Sequence, residues 1–153
     1  MCGQAGIHRR GSKPIASLGK LIDSLLLSIE QRGRHATGLL ALMEDGSTQM
    51  QRRAVTASAF VGKRRLVRSD AKTVLLHTRF ATTGGKGTKN AHPQVSGSVA
   101  CTHNGTVWNA DEIFRAFSLP RSATVDSEVI PALVGHTGWA QAEDALSLLE
   151  GGA

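Results

Sequence analysis

The chain has 153 residues, 41% of them hydrophobic, with 17 glycines, 4 prolines and no low-complexity run or internal repeat. That composition excludes a disordered or fibrous protein and fits one globular, loop-rich domain able to bury about two-thirds of its unfolded surface. The 18 basic and 12 acidic residues leave a formal net charge of +6, which permits a polyanionic partner without identifying one.

The basic residues cluster at Arg9-Arg10, Arg32 with Arg34, Arg52-Arg53, and Lys63-Arg64-Arg65 with Arg68. They are not interleaved with the aromatics on which nucleic acids stack, so a solvated, solubilising surface is the favoured reading. Two cysteines, Cys2 and Cys101, make no disulfide framework, and the sequence shows neither a signal-peptide core nor an apolar run long enough to span a bilayer. A reduced, cytoplasmic protein is expected.

Met1-Cys2-Gly3 opens the chain. Removal of Met1 turns Cys2 into the N-terminus, which sets a thiol and a free α-amine on one residue. An α-amine titrates near ~8 and a thiol near ~8.5, so the two form a base and nucleophile pair around neutral pH. Alone this signal is weak. Gly3 to Arg10 then reads as a short strand, and Gly11-Ser12-Lys13-Pro14 as a helix start. Leu18, Leu21, Ile22, Leu25, Leu26 and Ile29 recur at helical spacing over about 14–31 and predict a core-facing helix ended by Arg32-Gly33.

Leu39 to Met43 is a short apolar run ending at an Asp45-Gly46 turn, and Thr48 to Val55 is expected to return antiparallel. The basic segment after Phe60 reads as surface helix or loop. Thr73 to His77 is the next strand and runs into Thr78-Arg79-Phe80-Ala81-Thr82-Thr83. Gly84, Gly85 and Gly87, with Lys86 and Lys89, make a flexible loop that closes at Asn90-Ala91-His92-Pro93. The loop is not a P-loop, because Lys86 is followed by Gly87 where Ser or Thr is needed; a mobile lid over a small-molecule site and an ordinary surface loop both fit.

Ser98 to His103 reads as a strand that ends abruptly at Asn104-Gly105. An asparagine amide beside a glycine N–H gives two donors for one oxyanion, although the same pair is commonly a hairpin turn. Helical patterns follow around Ile113 to Phe117, Asp126 to Val134 and Trp139 to Leu149. Cys101 and His103 are two apart on a strand with no companion metal-ligand pair, which argues against zinc.

Six of these motifs stand in one order: Met1-Cys2-Gly3 with Gly6; Arg32-Gly33 to Gly38; His77 to Thr82; Asn90-Ala91-His92-Pro93; His103-Asn104-Gly105 with Asn109; and Asp126-Ser127-Glu128-Val129. From residue 2 to about residue 134 the chain resembles the class II glutamine amidotransferases, which are N-terminal-nucleophile hydrolases. The resemblance implies an α+β fold, the four-layer αββα sandwich, with residues 1–153 forming the N-terminal portion of the glutaminase domain and no synthase domain present. On the same ground Leu146 to Ala153 is expected to lead toward a late strand lying outside the chain.

The resemblance implies that Cys2 is the nucleophile, with its own α-amine as base, and that Asn104 and Gly105 form the oxyanion hole. It assigns Arg79 to the substrate α-carboxylate, Asp126 to the α-ammonium, and Thr82 and Thr83 to the pocket wall. L-glutamine is the implied substrate, with ammonia passing to a synthase domain or subunit, and no cofactor or metal is implied. The chain departs from the family at His35-Ala36-Thr37, where an Asp-Ser step is common, and at Phe80, where a tryptophan is common. Two other readings stay open: a different N-terminal-cysteine amide hydrolase, which needs no Arg79 and Asp126 clamp, and a non-catalytic polyanion-binding relative that leaves Cys2 idle.

Overall fold

A computed structural model describes residues 1–152. The expected first strand forms as β1 (Gly3–His8), and the apolar periodicity becomes helix α1 (Leu18–Ile29), closed by a 3₁₀ turn at Glu30–Arg32. The helix begins later than its sequence pattern suggests, because Leu18 N–H bonds the Ile15 carbonyl in a preceding turn. Strands β2 (Ala36–Met43) and β3 (Thr48–Arg53) make the expected hairpin around Asp45-Gly46, in register from Thr37 against Arg53 to Leu42 against Thr48. After the short helix α2 (Ala57–Val61) comes β4 (Ala71–Arg79), four residues longer than the apolar run that announced it.

These strands build one antiparallel sheet in the order β1-β4-β2-β3. The inner strand β4 pairs with both β1 and β2, which places Gly3 opposite Thr78 and Ala36 opposite Arg79 at one end. On one face Leu18, Ile22 and Leu26 of α1 pack against Leu39, Ala41 and Met43 of β2 and Val74 and Leu76 of β4. Each fully buried side chain of this kind is worth ~1.5–3 kcal/mol of transfer free energy. Phe60 of α2 belongs to the same core and has no exposed surface, so α2 is anchored, and the basic segment that follows it runs as the expected loop.

The second half is α+β with short ladders. β5 (Gln94–Ser96) pairs with β6 (Val99–Cys101), and β7 (Thr106–Val107) pairs with β8 (Gly151–Gly152). Helices α3 (Ala110–Ala116), α4 (Val129–Thr137) and α5 (Ala142–Ser147) enclose a second core of Val107, Ile113, Phe114, Val129 and Leu133. The strand expected over Ser98 to His103 is reduced to three residues, because His103 leaves the ladder to bond elsewhere. Asn109, the last residue of its motif, ties the two ends of this half together: Oδ1 accepts from Glu150 N and Nδ2 donates to the Leu148 carbonyl.

Among the described residues no helix is long and apolar enough to cross a membrane. The basic clusters are partly engaged internally, with Arg9 on Glu44 at 3.0 Å, Arg64 on Asp23 at 2.6 Å, and Arg68 on Asp45 and Asp70 at 3.1 and 2.5 Å.

Candidate active site

Three glycines of the sequence motifs earn their places by close approach, and each positions the site. A Cβ on Gly3 would lie 2.5 Å from Thr78 Oγ1 and 2.6 Å from the Ile29 carbonyl, so β1 can press against β4 and the end of α1 only without a side chain. Gly33 lies equally close to the backbone of Thr78 and Arg79, and Gly38 to the carbonyl of His92. Together they bring the start of β1, the end of β4 and the Asn90 to Pro93 segment to one corner of the sheet.

Cys2 sits at that corner, partly buried. Its backbone nitrogen donates to Asn104 Oδ1 at 2.8 Å, and its Sγ accepts from the Phe80 N–H at 3.3 Å. Arg32 Nε donates to the Cys2 carbonyl at 2.9 Å. Asn104 thus meets Cys2 across 102 residues of sequence. Cys2, Phe80, Thr82, Asn104 and Gly105 line a cavity of about 160 Å³, with Met1, 78% exposed, at its mouth.

A narrower crevice continues inward from Cys2 and Gly105 past Thr82 and Thr83 to Arg79, His92, His103 and Asp126. All seven residues singled out from the sequence therefore line one connected site. Larger cavities of about 280 and 330 Å³ lie elsewhere and hold no cysteine. Among the described residues no group of three or more His, Cys, Asp or Glu side chains is arranged to hold a metal ion.

Arg79 and Asp126 are built in firmly. Arg79 is 2% exposed; its Nη1 donates to the Gly85 carbonyl at 2.8 Å and its Nη2 to the Thr83 carbonyl. Burial pushes the Arg79 guanidinium below its ordinary pKa, and the neighbouring Cys2 and Asp126 push it back up. Asp126, 5% exposed, accepts from Val107 N–H at 2.6 Å through Oδ2. The glycine loop is also tied down, because Asn90 Nδ2 donates to the Gly85 carbonyl and to Thr124 Oγ1, both at 2.9 Å, while its Oδ1 accepts from Thr124 N and Val125 N. The loop, for which the sequence left both a mobile lid and an ordinary surface loop open, is held to the site from inside.

Several residues of the site were visible in the sequence only as motif letters. Asn90 is the hub of the loop, and Glu128 accepts from Ser122 N, Ser122 Oγ and Ala123 N, which fixes the segment before Asp126. His35 Nδ1 accepts from Ala81 N at 2.9 Å, and its ring lies 5.0 Å from that of Phe80, so the two departures from the family pattern touch each other. The rings of His77 and His92 pack against each other with centroids 4.3 Å apart and a tilt of 38°. Burial first, then nearby positive groups, lower His77 to about 4 and His92 to about 2, so both rings are neutral at pH 7.

No family model matches the chain. It is 28% identical over 162 aligned positions to the glutamine–fructose-6-phosphate aminotransferase of Sulfolobus acidocaldarius, covering 99% of this chain and 27% of that protein. It is 34% identical over 154 positions to the Xylella fastidiosa protein of the same name, covering 98% of this chain and 24% of that one. The chain thus spans about a quarter of the length of the curated relatives it matches.

Among solved structures it superposes on the glutamine phosphoribosylpyrophosphate amidotransferase of B. subtilis with a TM-score of 0.73, at 21% identity over 95% of this chain and 32% of that one. A second match, the allosteric regulatory enzyme of purine biosynthesis, gives 0.74 at 24% identity over 95% of this chain and 33% of that one. These two share its fold. Motif order, fold and relatives agree, and the chain belongs to the class II, N-terminal-nucleophile glutamine amidotransferases, matching their glutaminase domain.

Proposed function

We propose that this chain hydrolyses L-glutamine to glutamate and ammonia through a γ-glutamyl thioester on Cys2. The observation that carries this reading is the 2.8 Å bond from Cys2 N to Asn104 Oδ1. Once Met1 is removed that nitrogen is the α-amine on the same residue as the thiol, and the bond engages Asn104 through Oδ1, which leaves its Nδ2–H donors for an oxyanion. The amine takes the Sγ proton, directly or through a water, as sulfur attacks the substrate amide carbon.

The C–S bond forms while the amide oxygen gains the negative charge, which Asn104 Nδ2 and the Gly105 N–H stabilise; one such donor is typically worth ~10²–10³ in rate. Collapse breaks the C–N bond and the ammonium returns its proton to the departing ammonia. Water, activated by the same amine, then hydrolyses the thioester. Arg79 binds the substrate α-carboxylate and Asp126 the α-ammonium, with Thr82 and Thr83 closing the pocket. The ammonia goes to a synthase domain or partner subunit. Because the relatives above are named for transfer to fructose 6-phosphate, a phosphosugar is the first acceptor to test.

The test is intact-mass measurement after treatment with a glutamine-mimicking diazoketone. Loss of Met1 and one adduct, at Cys2, is the expected result. Cys101 stays unmodified, because burial pushes its thiol up to about 12. Glutaminase activity in a chain that retains Met1 would overturn the mechanism. Equal turnover of glutamine and an amide lacking the α-amine and α-carboxylate would instead indicate a general amide hydrolase.

A further inference from the structure

Strand β4 delivers His77 to the interior beside the oxyanion residues, with no exposed surface on its side chain. Its Nε2 lies 3.1 Å from the carbonyl oxygen of His103. A carbonyl only accepts, so this contact places the imidazole proton on Nε2 and leaves Nδ1 bare. His77 Nδ1 is buried and has no hydrogen-bond partner among the described residues, as expected of a ring held for its other nitrogen.

The carbonyl that His77 holds belongs to the peptide whose nitrogen is that of Asn104. Fixing this peptide fixes the entry into Asn104-Gly105. From the opposite side His103 Nδ1 meets Ser127 Oγ at 2.9 Å, so the same residue is anchored to the turn that carries Asp126. His92 lines the crevice, whereas His77 lines neither it nor the cavity at Cys2.

We propose that His77 is a positioning residue for the oxyanion hole: its Nε2–H holds the His103–Asn104 peptide so that Asn104 and Gly105 aim their donors at the transition state. The inference rests on the glutaminase reading of the site. It predicts an effect on kcat and little on KM, because the donors act where charge develops and not on bound glutamine. It also predicts that a side chain able to donate from the Nε2 position restores function, and that the effect runs through Asn104.

The experiment is steady-state glutaminase kinetics of His77→Phe, His77→Gln and His77→Phe combined with Asn104→Ala, with thermal melting of each. His77→Phe keeps an aromatic partner for His92 and lowers kcat by ~10-fold, a part of what a lost oxyanion donor costs, with KM within ~2-fold. His77→Gln recovers most of that loss. In the Asn104→Ala background the Phe substitution costs less than ~3-fold further, the non-additivity expected of groups acting as one unit.

An equal loss in both backgrounds, a raised KM with normal kcat, or no rescue by Gln overturns the proposal. Should His77→Phe fail to fold, the Gln variant and the His77 tautomer in the parent chain decide, read from two-bond proton–nitrogen correlation spectra. An Nε2–H tautomer is expected, and an Nδ1–H tautomer overturns the proposal. If the parent chain shows no glutaminase activity, the functional reading fails while the tautomer still tests the contact.

Discussion

Replacing Gly38 by alanine probes how the first sheet carries the site. Gly38 lies in β2 between His77 of β4 and Arg52 of β3. An added Cβ would stand 2.1 Å from the His92 carbonyl oxygen, 3.0 Å from Arg52 Cγ and 3.2 Å from the Gln51 carbonyl. The first approach is about 1 Å too close, and its partner is backbone, which cannot swing aside. The His92 segment would have to lift away although Arg52 Nη1 holds the carbonyls of Ala91 and Pro93 at 3.1 and 3.2 Å, and Gln94 Nε2 holds Ala91 at 2.9 Å.

Overpacking of this kind costs ~3 kcal/mol, the upper part of the usual range. In a domain of this size that lowers the melting temperature by roughly 6–12 °C. Gly62→Ala is the control: φ is −70° and nothing lies near the new methyl, so it should be neutral or stabilise by ~0.4–1 kcal/mol through the unfolded chain. Melting followed by circular dichroism reads both. A Gly38→Ala variant melting within ~2 °C of the parent would refute the close-approach argument.

Acid should destabilise the fold before carboxylates titrate. Burial lowers His77 to about 4 and His92 to about 2 from the 6.5 of an unburied histidine, so below 6.5 the unfolded chain binds more protons and stability falls with pH. The loss is ~2 kcal/mol per histidine between pH 6.5 and 5, and urea melts at pH 7 and 5 measure it; equal midpoints would show that the rings are not buried neutral. Asp126→Asn keeps an oxygen for Val107 N–H but removes the charge proposed to meet the substrate ammonium. It should raise KM for glutamine by ~10-fold or more, the value of a hydrogen bond to a charged group, and an unchanged KM would remove Asp126 from the clamp.

Much of this protein was determined by its sequence alone. The 3.6-residue spacing from Leu18 to Ile29 specifies α1, and the Asp45-Gly46 turn sets the β2–β3 hairpin, because both signals are local. Cys2, Arg79, Thr82, Thr83, Asn104, Gly105 and Asp126 were each legible as letters in ordered motifs, because the proposed nucleophile, oxyanion donor pair and charge clamp call for those side chains.

What joins them was decided only by the tertiary structure. Short apolar runs do not state their partners, so neither the central place of β4 nor the burial of Phe60 could be read from spacing. The contacts of Gly3, Gly33 and Gly38 are backbone approaches between segments distant in the chain, and their absent side chains carry no pattern of their own. Only packing fixed the Cys2–Asn104 bond, the Asn90 hub and the buried contact of His77 with His92, since hydrogen bonds and desolvation act through space and depend on which strands are neighbours.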